Sequence, residues 1–282
     1  MKAFFLRTIM VLGISIFYCG CKKDDSSSNN NNNNGNHSKH CYPSVITIKN
    51  GGGATSTESF FYDNNWATTK IEVQEGGASL QTDVISWSGN QVRTDIYYST
   101  TSGQLGYHAQ YTIIYLNADS LADSLTSFSC IDCNLQEPVN FKRDYVTTFH
   151  RSGGKLVGSE SWDAANSKTT ESFFEYDSKG RAISSLSFDE YGDTSAYVQN
   201  IYPANEKDIY KTEQSVAPYK YLFGDGLVYQ PQRSIIYYPT YPNGITVDWE
   251  IKGNADGYLE SATGTSGGQP YQKTTYAYTC AN

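Results

Sequence analysis

Turn-forming residues recur along this chain at a steady interval, and that punctuation limits the fold more than any other feature. Clusters stand at Asn64-Asn65, Gly76-Gly77, Gly89-Asn90 and Ser102-Gly103. A second series runs through Gly153-Gly154, Ala165-Asn166, Lys179-Gly180, Tyr191-Gly192 and Asn205-Glu206, and a third through Asn243-Gly244, Asp256-Gly257 and Gly267-Gly268. Neighbouring clusters are about 11 to 14 residues apart, the spacing of consecutive antiparallel strands joined by hairpins. Gly, Asn and Asp recur there because hairpin turns demand positive φ at central positions.

Between the turns the text is strand-like. From Tyr107 to Leu116 one side carries Tyr107, Ala109, Tyr111, Ile113 and Tyr115, and the other His108, Gln110, Thr112, Ile114 and Leu116. That is a period of two with one firmly apolar side, the side expected to face a core. Ser172–Tyr176, Ala182–Phe188, Tyr197–Tyr202 and Ser234–Tyr238 read similarly. Tyrosine is abundant, 24 of 282 residues, and suits a half-buried pleated surface where the ring packs and the hydroxyl reaches a polar partner. The best candidate for something other than strand is Asn117–Ser127, where Leu121 and Leu125 stand four apart; it reads as a short helix or irregular insertion. The expectation is an all-β chain, a large antiparallel β-meander of consecutive hairpins forming an open or barrel-like sheet, with residues 40–282 as one β-rich domain.

Ahead of that domain, Lys2 and Arg7 precede an apolar run from Ile9 to Tyr18, roughly half the length needed to span a bilayer. Cys19 and Cys21 end it. Residues 1–20 resemble a lipoprotein signal peptide, in which a small residue precedes the modified cysteine; Gly20 meets that rule for Cys21, while Tyr18 stands where such signals carry Leu. The resemblance implies lipid attachment at Cys21. Residues 21–39 hold Lys-Asp-Asp, three Ser and six consecutive Asn, a polar tract with nothing to bury that serves as a solvated leash. A lipidated Cys followed by such a tract is similar to the export signal of Bacteroidota-type surface lipoproteins. It implies a membrane partner through the N-terminal anchor and an outer-membrane site, at the cell surface or otherwise on the periplasmic face.

A second resemblance lies in the hairpins. "ESFFYDNN" at Glu58–Asn65 recurs as "ESFFEYDSKGR" at Glu171–Arg181. The later copy looks like the YD-type repeats of Rhs and teneurin proteins, where a strand ending in Tyr-Asp enters a Gly turn and Arg opens the next strand. Asp177 is then expected to accept backbone N–H groups across the turn, with Gly180 left-handed and Tyr176 packed on the neighbouring strand. This implies architecture rather than activity.

Four cysteines remain after Cys19 and Cys21: Cys41, Cys130, Cys133 and Cys280. They allow three pairings. The favoured one joins Cys41 to Cys280 and Cys130 to Cys133, as suits an oxidising compartment. Removing residues 1–20 takes away two basic residues and no acids, leaving 19 basic against 29 acidic residues and a formal charge of −10. Nucleic acid is disfavoured as a partner, since binding there is driven by Lys and Arg releasing counterions.

The residues define no catalytic or metal constellation and imply no cofactor. His37 and His40 flank the leash; His108 and His150 fall on strands; no nucleophile motif stands beside them. Asn254, Asp256 and Gly257 match a fragment of a calcium loop without its closing Glu. Acids such as Asp83, Asp95, Glu160 and Asp163 read as solvated strand-face groups. Trp66, Trp87, Trp162 and Trp249, at or near strand ends, are the candidate ligand-binding residues, because sugars stack on aromatic rings through their C–H faces. The leading expectation is a non-enzymatic scaffold binding glycan or a surface protein. The alternative is a carboxylate-pair glycoside hydrolase acting on extracellular polysaccharide.

Overall fold

The computed structural model describes residues 41–76, 78–99, 106–131, 140–204, 211–213, 227–256 and 258–280. Cys21, the polar tract, His37, His40, Cys133, Gly77, Ser102-Gly103, Asn205-Glu206 and Gly257 lie outside them. The first strands are β1 (Cys41–Asn50), β2 (Thr55–Tyr62), β3 (Thr68–Glu75), β4 (Ala78–Ser88), β5 (Gln91–Tyr98) and β6 (Tyr107–Leu116). Then come β7 (Ala122–Cys130), β8 (Phe141–Ser152), β9 (Lys155–Asp163), β10 (Lys168–Tyr176), β11 (Ala182–Phe188) and β12 (Thr194–Ile201). The last are β13 (Lys211–Glu213), β14 (Leu227–Tyr229), β15 (Arg233–Tyr238), β16 (Tyr241–Gly253), β17 (Leu259–Ser266) and β18 (Gln269–Cys280).

Sixteen of these strands pair antiparallel with their sequence neighbours and close into a barrel, β18 meeting β1. β13 and β14 form a separate ribbon in the β12–β15 connection, and β13 lies against β1. The turn spacing therefore reported a meander, and the sheet takes the closed form of the expected arrangement. Cys41 and Cys280 face each other in the register and are disulfide-bonded, so the seam is covalently stapled where the barrel begins and ends. We call this the seam end. Cys130, at the end of β7, is also disulfide-bonded.

Among the described residues one turn design recurs six times. At Asp63, Asn117, Asp163, Asp177, Asp189 and Asn254 the side-chain Oδ1 accepts the backbone N–H groups two and four residues on, at 2.8–3.0 Å. The fourth residue of the loop needs positive φ: it is Gly180 or Gly192 in two copies, and Trp66, Ser120 and Asn166 in three others. The Asn117 copy explains a departure from expectation. Asn117–Ser127 is neither helix nor insertion; Asn117 caps a tight turn and Ala122 opens β7. Two Leu four apart matched a helical spacing by coincidence, one lying in the turn and one in the strand.

Tyrosine plays a matching part. Tyr62 donates its hydroxyl to the Pro43 carbonyl, Tyr176 to Leu156, Tyr202 to Ala182 and Tyr278 to Leu259, at 2.5–3.0 Å. Each tyrosine stands at or next to the end of a strand running toward the seam end and reaches a carbonyl near the start of the preceding strand. In the two Tyr-Asp copies the ring thus locks onto the neighbouring strand while the Asp closes the turn. The hairpin device expected at Tyr176-Asp177-Gly180 is present in full.

The two faces of the wall are also distinct. Phe60, Ile71, Ile85, Val92, Ile114, Leu156, Phe174 and Val198 are buried, and the register places them on one face, the inside of the closed sheet. In β6 this overturns the expected orientation. Tyr111, Ile113 and Tyr115, the side read as core-facing, point outward, while Gln110, Thr112, Ile114 and Leu116 point in. An irregularity in the β5–β6 register, opposite Ile96 and Tyr97, puts His108 on the outer side with Tyr111. Apolarity alone misassigned the faces because this barrel accepts polar groups inside.

Candidate functional site

The interior has two levels. Near the seam end Phe60, Ile71, Ile85, Val92, Ile114, Ala122, Leu156, Phe174 and Ala182 form one apolar cluster, with Val92 0% and Ile114 1% exposed. A wide water-filled lumen would wet such inward side chains, so this level is closed by packing. Farther from the seam the inward residues of β2 to β11 turn largely polar, while on β12, β15 and β16 Val198, Ile236 and Val247 form a second apolar cluster. Gln110 donates to Ser127 at 2.6 Å, Ser129 to Asp144 at 3.0 Å and Gln81 to Asp83 at 2.7 Å. Thr147 and Ser161 share a hydrogen bond at 2.8 Å, and Ser172 and Ser187 one at 2.9 Å. These cross-strand pairs satisfy hydroxyls that the pleat aims inward.

Two carboxyls stand out in this polar level. Glu58 on β2 and Asp83 on β4 both point inward across the intervening β3. Protein surrounds both, and burial pushes each up to about 7, the Asp83 charge adding to the effect on Glu58 and the Gln81 amide partly offsetting it on Asp83. Each keeps an intermediate exposure, so some solvent-sized space touches them. Asp83 is thus not the solvated strand-face acid expected from sequence; alternation alone did not reveal which face was inside. Asp163 is a turn cap, and Asp95 and Glu160 face outward.

The outer wall is charged along its height. Lys70 pairs with Glu72 at 2.9 Å, Arg93 with Asp95 at 2.6 Å, Lys168 with Glu160 and Glu171 at 2.9 and 2.8 Å, Arg233 with Asp248 at 2.5 Å and Lys252 with Glu260 at 2.8 Å. His108 Nε2 lies 2.9 Å from Asp95, and His150 Nε2 lies 3.6 Å from Glu160. Around Arg93, the rings of Tyr97, His108, Tyr111, Phe128 and Phe141 pack together, with Tyr97 stacked on His108 and Tyr111 on Phe128 at 4.6 Å. Those faces cover one another and strengthen the wall.

The four tryptophans do not converge. Trp66 sits in the β2–β3 turn, its ring stacked on Tyr42 at 4.9 Å beside the stapled seam. Trp87 faces inward near the end of β4 and is 37% exposed. Trp162 faces outward near the end of β9, opposite Val146 and Lys168. Trp249 lies midway along β16 rather than at a strand end, inward, donating to Ser234 at 3.3 Å against the Val198–Ile236–Val247 cluster. Among the described residues no group of three or more His, Cys, Asp or Glu is placed to hold a metal ion.

These features define a closed, sixteen-stranded meander barrel with a charged outer wall and a partly polar interior. The fold is similar to that of a porin-like protein from Bacteroides vulgatus, with a TM-score of 0.57 at 9% identity over 85% of this chain and 99% of that one. It is likewise similar to a porin-like protein from Bacteroides uniformis, TM-score 0.55 at 16% identity, covering 85% and 98% of the two chains. At such identities the likeness is one of fold. No family model and no curated protein matches the sequence.

Proposed function

We propose that this protein is a lipid-anchored, non-enzymatic barrel that stands outside the cytoplasm on the outer membrane and offers its wall to an extracellular glycan. The observation that carries this reading is the charged outer wall. A transmembrane barrel needs an outward apolar band about 25 Å tall, and Lys or Arg at mid-bilayer costs about 2–4 kcal/mol each. Arg93, Lys70, Lys168 and Arg233 all face outward in ion pairs, so the wall suits water. The barrel then needs another hold on the membrane, and Cys21 with its polar leash supplies one. The Bacteroides origin of the two porin-like neighbours accords with an outer-membrane or surface setting.

The hydrolase reading has less behind it. Glu58 and Asp83 are the nearest thing to a carboxylate pair, but they face the barrel interior, where a polymeric glycan has no path past the walls.

Expression of the full chain with a radiolabelled fatty acid tests the anchor. Label incorporation and membrane sedimentation that both disappear in Cys21→Ala are expected. Unlabelled protein that still sediments with the membrane would remove the anchor from the account. Digestion of whole cells by external protease reports whether the barrel stands on the outer surface.

A further inference from the structure

On the outer wall, away from the Arg93 cluster, the register lines up one apolar row across four strands. Phe173 on β10 faces Leu186 on β11, Leu186 faces Tyr197 on β12, and Tyr197 faces Tyr237 on β15. A glycine flanks the row at each end. Gly158 on β9 pairs with Phe173, and a Cβ there would lie 3.8 Å from the Phe173 ring. Gly244 on β16, with φ +73°, lies under Tyr237, whose ring carbons would be 2.8 and 3.0 Å from an added Cβ. Tyr197 and Tyr237 overlap at 5.6 Å with planes 30° apart, and Phe173 is 44% exposed.

A mostly polar row, interrupted by Ile235, runs beside it. Glu175 pairs with Ser184, Ser184 with Gln199, Gln199 with Ile235, and Ile235 with Thr246. Ser184 donates to Glu175 at 2.7 Å, which fixes that carboxylate, and Gln199 is exposed.

We infer that these two rows form a binding site for a neutral oligosaccharide lying across the strands; the inference rests on the glycan reading above and gives that reading a place. From Phe173 to Tyr237 is three strand spacings, about 14 Å, or room for roughly three pyranose rings. A pyranose chain has the matching chemistry: C–H faces for the aromatic rings and hydroxyl edges for Glu175, Gln199 and Thr246. Other occupants fit less well. A stable protein interface takes about 800 Å² and some 20–30 residues a side, whereas this strip is one side chain wide. Ion pairs bound it, Lys168 with Glu160 and Glu171 on one side and Arg233 with Asp248 on the other, so it is no place for lipid. The acidic balance of the chain and Glu175 at the rim select against anionic sugars.

The test titrates the full chain with cello-, xylo-, manno- and maltohexaose by calorimetry. At least one is expected to bind. Phe173→Ala should weaken that binding roughly tenfold and Gln199→Ala roughly threefold, through a lost stacking face and a lost hydrogen bond. Phe61→Ala, an exposed ring on β2 covered by Lys70, should leave it unchanged. All three variants should melt with the parent, which separates binding from folding. Binding unchanged in Phe173→Ala would overturn this site and leave the glycan reading standing. No binding of any of the four sugars, with a protein partner recovered or without one, would overturn both.

Discussion

The two levels of the barrel interior face the same way and are built on opposite principles. Near the seam, nine buried apolar residues pack behind four tyrosine hydroxyls tied to backbone carbonyls, with the Cys41–Cys280 disulfide at the rim. Farther along the same strands the inward positions are Ser, Thr, Gln and carboxyl groups joined by hydrogen bonds. The apolar level supplies burial energy, of order 25 cal/mol per Å² removed from water. The polar level supplies little beyond satisfied hydrogen bonds, each worth about 1 kcal/mol net. On β2 to β11, stability and polar capacity are thus separated along the barrel axis, so that one end holds the structure while the other carries buried acids.

The contrast breaks most visibly under truncation. Ile114→Ala or Leu156→Ala should cost about 2–5 kcal/mol by cavity formation, lowering Tm by roughly 2–4 °C per kcal/mol. Ser127→Ala in the polar level should cost about 1 kcal/mol, the worth of the hydrogen bond from Gln110. Thermal melts of the three variants side by side check this; equal losses would erase the distinction.

Next in size is a pH effect peculiar to the polar level. Glu58 and Asp83 bind protons more tightly folded than unfolded. Below about pH 4 both states are protonated and nothing is lost. As pH rises from there to about 7 the unfolded chain ionises first, so stability falls, and above 7 the full penalty applies. Glu58→Gln with Asp83→Asn should therefore raise stability by a few kcal/mol at pH 8 and scarcely change it at pH 4. Denaturant midpoints at the two pH values decide it.

The turns have the opposite sign. Burial pushes the Asp177 carboxyl up, but the N–H groups of Arg181 and Lys179 and the Arg181 guanidinium outweigh it and hold it below its usual range. Its contribution is present above the unfolded value and is lost as pH falls through the folded one. Asp177→Ala should cost about 0.5–2 kcal/mol at pH 7, the range of a lost capping group, and less in acid. The smallest expected effect is a gain. The Thr94 hydroxyl is buried without a hydrogen-bond partner among the described residues, so Thr94→Val should stabilise by about 1 kcal/mol, readable as a rise in Tm.

Much of this fold was legible in the sequence, and for identifiable reasons. Hairpin turns are local, so Asn64-Asn65, Lys179-Gly180 and Gly267-Gly268 announced themselves through residue type, while the Cys41–Cys280 bond was the favoured one of three open pairings. Closure of the sheet was left open because it depends on β1 meeting β18, a contact between residues far apart in sequence. The wall's inside and outside were not legible either. In β6 the apolar reading pointed Tyr111 and Tyr115 inward, where the structure holds Gln110 and Thr112; a period of two marks two faces without saying which is core. The candidate glycan row escaped the same reading, since Phe173, Leu186, Tyr197 and Tyr237 become neighbours only through register. A signal was nonetheless present in Gly158 and Gly244, small residues within strands, which often mark close approach of another group.

On this reading the outer wall faces water and not lipid. Spin labels placed by Ile113→Cys and Phe173→Cys, in full-length protein reconstituted with phospholipid vesicles, test it most directly. A water-soluble nickel chelate is expected to relax both labels far more than oxygen does. Oxygen dominating at both sites would place the wall in the bilayer and contradict it.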